Sequence, residues 1–85
     1  MPTVWREGPF RFFFYSEERN EPPHIHVEIG DPPTDIYAKM WLGPPVAVAV
    51  AFWRNFSARD RRAAREIVIR QRTMMEQAWH DHFGT

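Results

Sequence analysis

Residues 21–29 read EPPHIHVEI, and how they are read decides the fold. Two prolines stop whatever precedes them. His24, His26 and Glu28 then alternate with Ile25, Val27 and Ile29, which in a strand sends polar and apolar side chains to opposite faces. A half-buried strand therefore begins at His24, and its apolar row needs something to pack against.

Working outward, Pro-Pro pairs at 22–23, 32–33 and 44–45 punctuate the first half of the chain. Proline cannot donate to a ladder, so each pair belongs between strands. The pieces left over, about 3–6, 10–16, 24–29, 36–42 and 46–53, are rich in β-branched and aromatic residues and read as strands. Gly8-Pro9, the polar run 16–21, Gly30-Asp31 and Gly43 supply turn chemistry. From Ser57 the period changes to that of a helix. Ser57 is an N-cap with Asp60 three residues on, and nothing breaks the helix before Gly84. At ~100° per residue, Ala63, Ala64, Ile67, Val68, Met74, Met75, Ala78 and Trp79 share half of its circumference, joined by Gln71 and His82.

The expectation is an α+β fold, an antiparallel meander of four to five strands with one long C-terminal helix packed on one face. At 85 residues the chain is one domain, 1–56 forming the sheet and 57–83 the helix. Ile25, Val27 and Ile29, then Ile36, Ala38, Met40 and Leu42, then Phe10, Phe12 and Phe14 would meet the helix. The far face would carry His24, His26 and Glu28, then Tyr37, Lys39 and Trp41, then Arg11, Phe13 and Tyr15. Strand 46–53 alternates valine with alanine, so either row could be buried, and one bulge would flip every side chain after it.

Composition narrows the chemistry. Apolar residues make up 44% and aromatics 15%, which is a packed globule and not a disordered tail. Cysteine is absent, removing disulfides, thiolate metal sites and cysteine nucleophiles together. Val46 to Trp53 is the longest apolar run and is too short to span a bilayer, so a cytoplasmic protein without a membrane partner is expected. Net charge is zero. Residues 57–85 nevertheless hold six arginines against four acidic groups, concentrated at Arg59, Arg61, Arg62 and Arg65, where the helix dipole disfavours cations.

Three readings of the histidines follow. A metal row of His24, His26 and Glu28 is strained, because residues 24 and 28 stand ~13 Å apart along a straight strand at ~3.3 Å per residue. No metal or cofactor is therefore assigned. In the second reading, His24 and His26 act as acid and base on RNA, with Arg11 and Lys39 stabilising an anionic transition state. Tyr15, Tyr37 and Trp41 would stack bases, and Arg61 and Arg62 would meet phosphate or an acidic partner. In the third, these side chains only pack, snorkel or meet a second subunit, and Arg62 and Glu66 pair at i, i+4. His80 and His82 stand ~200° apart on the helix and form no joint site, His80 facing solvent and His82 serving the helix end.

The start MPTV, the strand FRFFFYS, the segment NEPPHIHVE, the turn GD, the strand ending in KMWL and the closing AWHDHFG resemble a short bacterial family, domain of unknown function 4160. Asn20, Pro22, Pro23, His24 and His26 carry the likeness. Segment 32–36 lengthens the usual turn, and the alanine-valine alternation replaces an acid-containing stretch. The resemblance implies a toxin-like component of a toxin-antitoxin-type pair. Two functions are thereby expected: action on RNA through an open sheet face bearing His24 and His26, or non-catalytic binding to a small cognate protein. An aromatic face on so small a chain also suggests a homodimer.

Overall fold

A computed structural model describes residues 3–17, 20–31, 34–43 and 48–84. Five strands form one antiparallel sheet in sequence order: β1 (Thr3–Glu7), β2 (Phe10–Phe13), β3 (His24–Ile29), β4 (Tyr37–Trp41) and β5 (Ala49–Arg54). The helix α1 (Ala58–Phe83) follows. This is the α+β meander with one long helix that the periodicities predict. The prolines of 22–23 fall between strands as expected. The pairs at 32–33 and 44–45, and the first two residues of the expected strand 46–53, lie outside the described residues.

Both ends of α1 are set by local chemistry. The Ser57 hydroxyl accepts from the Asp60 N–H at 3.1 Å, filling one of the first turn's orphan donors. At the other end Gly84 turns left-handed (φ 69°), and its N–H reaches the His80 carbonyl at 2.8 Å. Asn55 also lies in the left-handed region (φ 61°), the non-glycine type that tolerates it best. Its side chain donates to the Asp35 carbonyl at 2.9 Å, so the turn from β5 into the helix is tied to the β3–β4 connection.

The rows divide as their alternation requires. Phe10, Phe12, Phe14, Ile25, Val27, Ala38, Met40, Leu42 and Val48 join Ala64, Ile67, Val68, Met75 and Trp79 in the core. Two bulges modify the outer strands. In β1, Thr3 pairs with Phe13 and Trp5 with Phe12, leaving Val4 as the extra residue. In β5, Val50 pairs with Met40 and Phe52 with Lys39, leaving Ala51. That second bulge resolves the ambiguous strand: Val48 and Val50 belong to the core side, and Phe52 changes face. Phe52 then meets Tyr37 with ring centres 5.6 Å apart, while Trp53 returns to the core against Phe56 at 5.0 Å.

The helix crosses the sheet from β5 toward β1. Early in α1, the Arg61 guanidinium stands 5.8 Å from the Trp53 ring and Arg65 donates to the Val48 carbonyl at 3.1 Å. Later, Arg70 pairs with Glu7 of β1 and His82 shares a 3.3 Å hydrogen bond with Ser16. No helix of the described residues is long and apolar enough to cross a membrane.

Candidate functional site

The face away from the helix is not open. His24 is 0% exposed, His26 3%, Glu28 6% and Arg11 8%, so the row expected to face solvent is buried. Part of the cover comes from the β2–β3 connection, where the strand expected to run to residue 16 ends at Phe13. Tyr15 then sets its ring against Phe13 (5.4 Å) and His26 (5.0 Å), and Glu21 reaches Lys39 at 2.5 Å.

Beneath that cover, strand register brings three clusters together. Arg11 opposes Glu28 across β2 and β3, and its Nε donates to the carboxylate at 2.7 Å. Its Nη1 also donates to the Thr3 hydroxyl at 2.8 Å, and its guanidinium stands 4.2 Å above the Phe13 ring. A buried charge needs this much company to offset its lost hydration. Arg11, expected at a developing anion, has its contacts with Glu28, Thr3 and Phe13. The Glu28 carboxylate is engaged in the same pair.

His26 occupies the middle of the face. Its ring stacks on Tyr37 (5.4 Å, 13° between planes), and its Nδ1 shares a 2.7 Å hydrogen bond with the Tyr37 hydroxyl. His24 lies at the end of the sheet, its ring 5.0 Å from His26, 5.6 Å from Trp41 and 4.7 Å from Trp79 of the helix. Its Nδ1 is 3.0 Å from the Pro22 carbonyl, which can only accept, so that nitrogen carries the hydrogen. The two histidines are thus brought together as expected, but inside a packed aromatic cluster. Lys39, besides its pairing with Glu21, lies 4.5 Å from the Trp41 ring.

The helix arginines divide in two. Arg61 donates to the Phe56 carbonyl at 3.3 Å, Arg65 to Val48 and Arg72 to Leu42 at 3.3 Å. These three lie along one flank of α1 and satisfy carbonyls beyond it, which for Arg61 and Arg65, near the helix start, offsets the unfavourable end of the dipole. Arg62 is exposed, and its i, i+4 spacing to Glu66 does not close into an ion pair among the described residues. His80 is half-buried and does not face solvent freely; His82 packs on Phe14 at 5.3 Å.

Sequence reasoning passed over a second feature, a wide-mouthed cleft of about 450 Å³ between β1 and the last turns of α1, lined by Thr3, Val4, Phe14, Met74, Ala78, Asp81 and His82. The one available signal was that Met74, Ala78 and His82 share the helix stripe.

These features define a class: a five-stranded meander under one diagonal helix, with a histidine–tyrosine cluster buried on the far face. Residues 10–80 match the model of a family described as Domain of unknown function (DUF4160), and the chain belongs to that family. No curated protein and no solved structure matches it.

Proposed function

We propose that the protein is a non-catalytic binding module for a second small protein, the partner-binding half of a toxin-antitoxin-type pair. One observation carries the reading: the two groups expected to serve as acid and base are withdrawn from solvent, at 0% and 3% exposure. A general base must come within hydrogen-bonding reach of the proton it removes, and the burial of His24 and His26, with the Tyr15 ring 5.0 Å from His26, speaks against such an approach by an RNA chain. What the far face presents outward is Phe52, 38% exposed, beside the half-buried Tyr37, Lys39 and Trp41. Aromatic anchors with a cation beside them suit a protein interface.

The test sets this reading against action on RNA. Mixed with the product of the adjacent gene, the chain is expected to elute as a complex, to leave single-stranded RNA intact, and to lose the complex on Phe52→Asp. RNA cleavage by the wild type that disappears in a folded His26→Gln variant would replace this reading with the catalytic one.

A further inference from the structure

We propose that the cleft between β1 and the end of α1 takes the ammonium of a lysine side chain, supplied by a partner protein. Its floor is hydrocarbon, with Val4, Phe14, Met74 and Ala78 all belonging to the core or packed against it. Its rim carries Asp81, which is exposed, together with Thr3 and His82. A ligand that fits must be apolar along its length and cationic at its tip, which is the form of a lysine stem and ammonium.

The electrostatics favour the same occupant. One Asp81 oxygen accepts from Gln77 Nε2 at 2.9 Å, and a carboxylate has acceptor capacity for several donors more. Asp81 sits in the last turn of α1, where backbone carbonyls give the helix its negative pole; of these, the His80 carbonyl is answered by Gly84. On the adjoining elements, Arg70 is paired with Glu7 and Arg11 with Glu28. His82, which also lines the cleft, is engaged by the Ser16 hydroxyl and the Phe14 ring, and Asp81 is the carboxylate at the mouth. A volume of about 450 Å³ lies in the range of small-ligand sites, and the wide mouth admits a side chain still attached to its own protein.

The source of the lysine rests on the binding-module reading; the chemistry of the cleft does not. The experiment is an NMR titration of the intact protein with N-acetyl-lysine N-methylamide, using the norleucine analogue as neutral isostere. The Met74 and Ala78 methyl signals are expected to shift, with the lysine probe binding roughly five- to tenfold more tightly. Asp81→Asn, an exposed position, is expected to remove that preference while the melting curve stays unchanged. Equal binding of both probes, shifts confined to other residues, or a preference that survives Asp81→Asn would each overturn the proposal. If Asp81→Asn abolishes probe binding yet leaves a complex with the neighbouring protein unaltered, lysine from that partner is not the occupant and the proposal falls, while the binding-module reading stands. If the probe behaves as expected and no such complex forms, the cleft chemistry is upheld and the binding-module reading falls alone.

Discussion

Arg11 and Glu28 show how much a single buried pair constrains this sheet. Removing one partner of such a pair leaves an uncompensated charge, whereas replacing both with hydrocarbon removes the desolvation cost with the attraction. Glu28→Gln is expected to lower stability by about 3 kcal/mol, and Arg11→Met with Glu28→Leu to cost much less, both read from equilibrium urea unfolding. Equal losses would mean that packing of the side-chain stems, not charge, holds the pair. The partition of these residues onto one face was legible from alternation alone. Their burial was not, because Tyr15, expected inside strand 10–16, leaves the sheet after Phe13 to pack on His26, and Glu21, which reaches Lys39, belongs to a polar run that predicts a loop and says nothing about where it lies.

Among the elements, the two outer strands share a device. Val4 and Ala51 each interrupt a ladder next to a free edge, which blunts the row of backbone groups an edge offers to other chains. Deleting Ala51 would make β5 regular while keeping Val50 opposite Met40 and Phe52 opposite Lys39, so every side chain would keep its face. The variant is expected to melt cooperatively with its tryptophan environment intact, and to associate with rising concentration in light scattering more than the wild type does. A deletion variant that associates no more than the wild type would show that the bulge does not guard the edge. The sequence contained the strand, since valine and alanine alternate there, but not the bulge: both rows were apolar, so no polarity marked the slip. Helix boundaries were the most legible feature, because Ser57 and Gly84 act locally.

Across the whole molecule, Arg70 and Glu7 join the middle of the helix to the far edge of the sheet. The Arg70 hydrogen bond, then the 2.9 Å bond from Trp5 Nε1, lowers the pKa of Glu7 below its ordinary 4.5. A depressed carboxylate stabilises the fold fully above the unfolded-state value, and the contribution is lost as pH falls through the folded-state value. The stability difference between wild type and Glu7→Gln is therefore expected to be constant above about pH 5 and to shrink below it. A difference that does not vary with pH would assign the contact to packing alone.

The diagonal path of the helix also governs when the protein can fold during its synthesis. Val4 and Phe14, made early, pack with Met74, Ala78, Trp79 and Phe83, made some sixty residues later. While the ribosome still holds those last turns, the strands have left the exit tunnel with their phenylalanine row wet. For that interval the nascent sheet is the species a chaperone would meet, and the rate of translation through the helix sets how long it lasts.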